Sequence, residues 1–252
     1  MTALPHGKKI YFASDFHLGI PDHASSVERE KRIVRWMDSV KGDAAELFLV
    51  GDLFDAWFEY KRAVPKGFVR LLAKIAEFTD NGIPVHVFSG NHDMWMFGYL
   101  EEECGAKLYH APIHREWNGK KFIIGHGDGL GPGDRGYKFI KSIFRNRFAQ
   151  WLYARVHPNF GIWLAQFFSG QGYDKKEGQA TYHGDDKEFL MLYAKEIVAK
   201  EKVDYFIFGH RHLPLDKEVI PGTHYINLGD WIKYNTYAVF DGEKAELKSY
   251  SL

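Results

Sequence analysis

Five short polar motifs, each placed directly after a strand-like apolar run, constrain this chain more than any other feature of its sequence. They are Asp15-Phe16-His17, Gly51-Asp52-Leu53-Phe54-Asp55, Gly90-Asn91-His92-Asp93, Gly125-His126-Gly127-Asp128 and Gly209-His210-Arg211-His212. The residues before them, Ile10 to Ala13, Leu47 to Val50, Val85 to Phe88, Phe122 to Ile124 and Tyr205 to Phe208, are short runs of the kind that form buried strands. With those strands in packed sheets and their ends aligned, the motifs meet at one edge, where α/β proteins place their sites. There they supply carboxylates, imidazoles and an amide, all of them metal ligands. Singly each motif is weak: Gly-Asp and Gly-Asn often mark only a turn, and His-x-His merely sets two imidazoles on one side of a strand. Five in order, each ending an apolar run, are not accounted for by turns alone.

Between the runs the pattern switches to helical spacing. Arg29 to Val40 and Gly67 to Asn81 carry apolar residues on one face, and each lies between two strand runs. That order predicts right-handed βαβ connections and a largely parallel sheet. Beyond Cys104 the texture changes. Ile113 to Trp117, Asn118-Gly119 and Lys121 to Ile124 read as a hairpin with a two-residue turn, and Asp241-Gly242 marks another between Tyr237 to Phe240 and Ala245 to Tyr250. These antiparallel pieces predict a second sheet stacked on the first. With 252 residues, 45% of them hydrophobic, the chain has material for one domain carrying an insertion. Its single cysteine, Cys104, follows Glu101-Glu102-Glu103 and is assigned to packing at a helix end.

Residues 131–178 differ from their surroundings. They open with Gly131-Pro132-Gly133, approach their end at Gly170-Gln171-Gly172, and hold helical runs rich in Phe, Trp and Tyr. Arg135, Lys138, Lys141, Arg145, Arg147 and Arg155 follow one another with no acid among them. This predicts a helical cap, 131–178, inserted into a body made of 1–130 and 179–252. Lys+Arg and Asp+Glu balance at 33 each, so no global field favours nucleic acid. Basic and aromatic residues interleaved in a neutral chain suit a surface that meets anionic lipid or an amphiphilic ligand, with Arg145 and Arg147 as cationic contacts. Met1 to Ser14 has neither the apolar core nor the cleavage site of a signal peptide, and no run approaches the ~18 apolar residues of a membrane span. The expected location is cytoplasmic.

The donor types constrain the chemistry. Carboxylate, amide and imidazole without thiolate suit octahedral Mn, Fe, Co or Ni better than structural zinc. Two such ions need a bridging carboxylate, which Asp52 can offer. Adjacent divalent ions activate water and clamp the oxygens of a phosphorus centre during in-line displacement, which points to hydrolysis of a phosphate ester or anhydride. The ordered motifs from Asp15 to His212 resemble those of the calcineurin-like metallophosphoesterases. That resemblance implies a two-sheet αββα sandwich, with Asp15, His17, Asp52 and His212 on one metal and Asp52, Asn91, His126 and His210 on the other. It implies that His92 stabilises or protonates the leaving oxygen, that Asp93 orients His92, and that Asp55 and Asp128 hold imidazoles in place. The implied cofactors are two divalent ions, Mn2+ being the best suited.

Gly51 to Trp57, His126-Gly127-Asp128 followed by Gly136-Tyr137, and the helical insertion are also similar to those of the UDP-2,3-diacylglucosamine diphosphatases of lipid A biosynthesis. In that family the insertion is a lid over acyl chains, and the products are UMP and 2,3-diacylglucosamine 1-phosphate. The similarity implies a nucleotide-activated glycolipid substrate beside Asn91 and Tyr137, and a peripheral place on the inner membrane with the cap at its cytoplasmic surface. The chain departs at His92, where well-known members of that family carry Arg and the wider superfamily carries His. Two other readings stand beside this one. A phosphoesterase for a soluble nucleotide diester or another diphosphate would give no reason for so many cap aromatics, and a non-catalytic scaffold would have lost ligands that this chain keeps. Outside the motifs, His183 follows the cap and could face the site, while Trp231 reads as core.

Overall fold

The computed structural model describes residues 2–133, 135–176 and 181–251. Side-chain alternation along the strand runs sets its layers. In β1 (Lys9–Ala13), β2 (Ala44–Val50) and β3 (Val85–Phe88), one set of side chains, including Tyr11, Leu49 and Val87, lies under α1 (His23–Val40) and α2 (Val69–Asp80). Trp36 and Met37 of α1 and Leu71, Ile75 and Phe78 of α2 fill that layer. The alternate set, including Ile10, Phe12, Phe48 and Phe88, packs against β6 (Lys120–Gly125), β7 (Tyr205–Phe208) and β9 (Thr223–Leu228) through Phe122, Ile124, Ile207, Ile226 and Leu228. The outer face of this second sheet is closed by Leu190, Met191 and Ala194 of α7 (Phe189–Val198). Two sheets thus lie between helical layers, and strands buried on both faces need the near-continuous apolar runs seen in the sequence.

The first sheet has the order β11-β10-β1-β2-β3-β4, completed by β4 (Lys107–Tyr109), β10 (Thr236–Phe240) and β11 (Ala245–Ser249). The second has the order β5-β6-β7-β9-β8, completed by β5 (Ile113–Trp117) and β8 (Pro214–Ile220). β1 to β4 are parallel, as are β6, β7 and β9, while β5, β8, β10 and β11 are joined by antiparallel pairing at the margins. One expectation is corrected here. The hairpin at Asp241-Gly242 joins the first sheet, pairing β10 with β1, because Ala238 and Phe240 complete the layer between the sheets on the open side of β1. The β8–β9 hairpin escaped the sequence reading because β8 is an edge strand whose Asp216, Glu218 and Ile220 are exposed. α1 begins six residues before Arg29, capped by Asp22, whose carboxylate accepts from Ser25 N at 2.9 Å; its polar first turn has no apolar period to read. Cys104 is buried at the end of α3 (Tyr99–Cys104), and burial pushes its thiol up to about 11.

Between β6 and β7 lies the inserted helical region: α4 (Arg135–Phe144), α5 (Arg147–Tyr153), α6 (Pro158–Lys176) and then α7. The cap end expected at Gly178 falls outside the described residues. The cap rests on the body through Trp95 Nε1, which donates to Phe144 O at 2.9 Å, and through Tyr153, whose ring centroid is 4.7 Å from those of Phe58 and Trp95. Among the described residues no helix is long and apolar enough to cross a membrane. Phe12 stacks on Phe48 at 5.1 Å and on Phe122 at 6.3 Å, joining both sheets. Phe12→Ala should lower the free energy of unfolding by about 3–5 kcal/mol, read as a lowered urea midpoint at unchanged slope.

Candidate metal centre

β1, β2, β3, β6 and β7 end at one edge and pass directly into the five motifs. The backbone there is bent hard. Asp15, His17, Asp52, His210 and His212 all take positive φ, at 56°, 44°, 52°, 68° and 52°. For residues with a Cβ that region costs about 1–2 kcal/mol each, and such strain gathers where side chains must be aimed. Gly51 has φ 88°, and a Cβ on it would sit 2.5 Å from His126 Nδ1. A Cβ on Gly90 would enter the Asp52 carboxylate. Gly51 and Gly90 are therefore required by close approach, beyond any turn.

The strand ends bring two ligand groups together. Asp15, His17, Asp52 and His212 each place a donor atom within 4.8 Å of the others, and Asp52, His126 and His210 do the same. Asp52 Oδ2 reaches both, lying 3.6 Å from His17 Nε2 and 3.2 Å from His126 Nε2. Asn91 Oδ1 lies 2.8 Å from His210 Nδ1 and 3.3 Å from His126 Nε2. The groups share Asp52 and define a dinuclear metal centre. The donors fit divalent cations on three counts. Asp15 Oδ1 and Asp52 Oδ2 are buried with no hydrogen-bond partner, a costly state for a carboxylate oxygen without a cation. His17 Nε2 and His212 Nε2 face one another at 3.1 Å, and His126 Nδ1 donates to Val50 O at 2.9 Å, which leaves its Nε2 lone pair toward Asp52. Finally, burial opposes charge on His126, yet the Asp52 carboxylate outweighs it and raises the imidazole to about 10, a pull on positive charge that a divalent ion beside a neutral imidazole would satisfy in the proton's place. Burial likewise opposes the Asp52 charge, but His126 and His92 hold that carboxyl well below the usual range.

The surrounding carboxylates divide the work differently from the expectation. Asp55 Oδ1 lies 3.3 Å from His17 Nδ1 and 3.4 Å from His92 Nδ1, so Asp55 is the acid beside the His92 ring. Asp93, expected to orient that ring, instead accepts from the backbone of Gly90 and Leu53, both at 2.7 Å, and from Phe54 at 3.3 Å. It ties the two motif loops together, and burial beside Asp52 pushes its carboxyl up to about 7. Asp128, expected to hold an imidazole, accepts from Tyr137 Oη at 2.7 Å and pairs with Lys141, both from the cap. Asp230 Oδ2, which the sequence reading missed, stands 3.5 Å from His212 Nδ1. Its signal was present, since Gly229-Asp230 follows the apolar β9 as the other motifs follow their strands. His92 sits beside His17, ring centroids 4.7 Å apart, while His183 is exposed and Trp231 is fully buried between Phe16 and Trp36.

Two cavities flank the centre. On the His92 side a chamber of about 520 Å3 is lined by Trp57, Met94, Trp95, Phe144, Tyr153 and Leu164. On the His126 side a pocket of about 290 Å3 gathers Lys138, Lys141 and Arg145 beside His110 and Ser89. Arg145 donates to His110 O at 2.7 Å and lines this pocket.

Residues 8–214 match the family model described as "Calcineurin-like phosphoesterase", and the chain belongs to that family. Within it, the chain is 40% identical to the UDP-2,3-diacylglucosamine hydrolase of Porphyromonas gingivalis (strain ATCC BAA-308 / W83), over 96% of this chain and 97% of that one. It is 26% identical to the protein of the same name from Histophilus somni (strain 129Pt), over 89% of this chain and 92% of that one. Elemental analysis of protein purified without chelator should find two divalent ions per chain. Asp52→Ala should fall to one or fewer, and stripping the wild type with a chelator should lower its melting temperature, because ions that bind only the folded chain stabilise it.

Proposed function

We propose that this chain hydrolyses the diphosphate of UDP-2,3-diacylglucosamine to UMP and 2,3-diacylglucosamine 1-phosphate, with two divalent ions, most suitably Mn2+. The observation that carries the reading is the two-sided site: an apolar chamber on the His92 side and a cationic pocket on the His126 side, with the metal ligands between them. A substrate with acyl chains at one end and a nucleotide at the other has that same polarity, since chains need an apolar groove and phosphates need cations. The 40% identity to a UDP-2,3-diacylglucosamine hydrolase along nearly the whole chain supports the same substrate.

Asp15, His17, Asp52 and His212 would hold one ion, and Asp52, Asn91, His126 and His210 the other. When bound, the pair neutralises the diphosphate and activates water for in-line attack. The phosphorus nearer the nucleoside lies toward Lys138, Lys141 and Arg145, and the leaving oxygen lies toward the chamber. His92, which lines that chamber, donates the proton to the leaving oxygen, with Asp55 beside its Nδ1. Asp93 contributes by fixing the loop that carries Asn91 and His92. Asn91, from the chamber wall, and Tyr137, from the cap beside Asp128, would meet the substrate.

The cap's outer face fits an interfacial location on the cytoplasmic side of the inner membrane. Phe139, Phe148, Trp151, Leu152, Phe160 and Trp163 are exposed, and Arg155 lies 4.7 Å over the Trp151 ring. Aromatics with an adjacent cation suit the headgroup boundary of an anionic bilayer.

Purified protein should release UMP from UDP-2,3-diacylglucosamine in a manganese-dependent reaction and be far less active on the counterpart lacking acyl chains. His92→Ala should lower kcat by about 10²–10⁴-fold. Equal turnover of both substrates would sink the glycolipid assignment. Phe148→Ser with Trp151→Ser should weaken binding to anionic vesicles by about tenfold or more in a sedimentation assay while leaving the ions in place.

A further inference from the structure

The chamber and the metal cluster are joined by one cap side chain that the reaction above does not use. Ser169, on α6, lines the chamber together with His92 and Leu164. Its hydroxyl donates to Asp55 Oδ2 at 2.6 Å and lies 2.8 Å from His92 Nδ1. We propose that Ser169 is a positioning residue for His92, so that the catalytic imidazole is held in its working orientation only while α6 is seated on the body. The proposal rests on the reading of His92 as the proton donor.

The hydrogen-bond inventory supports this assignment. A hydroxyl has one proton to give and lone pairs to accept with. With its proton directed to Asp55, Ser169 Oγ is an acceptor for His92 Nδ1. The backbone carbonyl of Asp55, 3.2 Å from the same nitrogen, can only accept as well. Nδ1 therefore carries a proton, and exchange with substrate falls to Nε2. Besides the hydroxyl, Nδ1 has Asp55 O at 3.2 Å and Asp55 Oδ1 at 3.4 Å, both longer than the bond to Ser169. Asp55 Oδ1 is also 3.3 Å from His17 Nδ1, so it cannot follow His92 without leaving His17.

Docking of α4 does not depend on this contact. Trp95 holds Phe144 O, Arg145 holds His110 O, and Tyr137 and Lys141 hold Asp128. Ser169 is distinguished by where it reaches. Leu164, Ala165 and Ser169 bring one helix against both the apolar chamber and His92, so chains filling the chamber bear on the helix that orders the imidazole. Substrate lacking chains leaves the chamber face of that helix without a partner in the ligand.

Steady-state kinetics on the manganese-loaded enzyme with UDP-2,3-diacylglucosamine test the idea. Ser169→Ala should lower kcat about tenfold with KM within about twofold, Ser169→Thr should restore most of it, and two ions per chain should remain. In a His92→Ala background, Ser169→Ala should bring no further loss, since the hydroxyl acts through the imidazole. An unchanged kcat, a raised KM at constant kcat, or a full additional loss in the His92→Ala background would each overturn the proposal. Wild-type turnover by His92→Ala alone would instead remove the underlying reading of His92.

Discussion

Two carboxylates, Asp15 and Asp52, are carried into the interior with an oxygen each that meets no hydrogen-bond donor. In a medium of low dielectric such groups are tolerated only opposite positive charge. The fold answers with imidazoles on every side: His17, His126 and His212 aim ring nitrogens at these acids from 3.2 to 3.7 Å. Much else follows from keeping that cluster in place. The motif residues accept left-handed backbone, glycines clear the space, and Asp55, Asp230 and the Val50 carbonyl turn each ring so that its other nitrogen faces inward. The apolar layers on both faces of both sheets supply the stability against which that local strain is set.

The cap changes what the cluster meets. Its helices are apolar toward the chamber and also expose aromatics outward, while its basic residues Lys138, Lys141 and Arg145 converge on the other side of the metals. A chain with no net charge, and with no membrane-spanning helix among its described residues, thereby borders one cationic pocket and one apolar chamber and exposes aromatics through a single insertion. The cap and the loop that carries His92 are in turn connected through Ser169, whose hydroxyl lies 2.8 Å from His92 Nδ1.

The residues that meet at the metals were legible because each follows a buried strand, and buried strands announce themselves as uninterrupted apolar runs. Asp15, His17, Asp52, Asn91, His126, His210 and His212 all stand in that context. Elements without an apolar period were not legible: the first turn of α1, the exposed edge strand β8 and the short β4. Placement of the C-terminal hairpin was misread for a related reason. A hairpin pattern states that two strands pair with each other, and nothing in it states which sheet edge they extend. The partners of Asp93 and Asp128 were misassigned because motif position specifies a neighbourhood, whereas the hydrogen bond depends on whether a backbone amide, a tyrosine or an imidazole arrives first.

The sequence by itself determined the donor types, their order along the chain and the strand ends that carry them, because strand burial and side-chain alternation are local properties with a short period. It also determined that one segment is basic, aromatic and bounded by glycines. Only the tertiary structure decided that Asp52 lies between two ligand groups, that Asp230 stands behind His212, that Arg145 lines the pocket on the His126 side and that Ser169 reaches His92. Those contacts join residues far apart in the chain, and their distances are set by how sheets and helices pack, which no local pattern encodes.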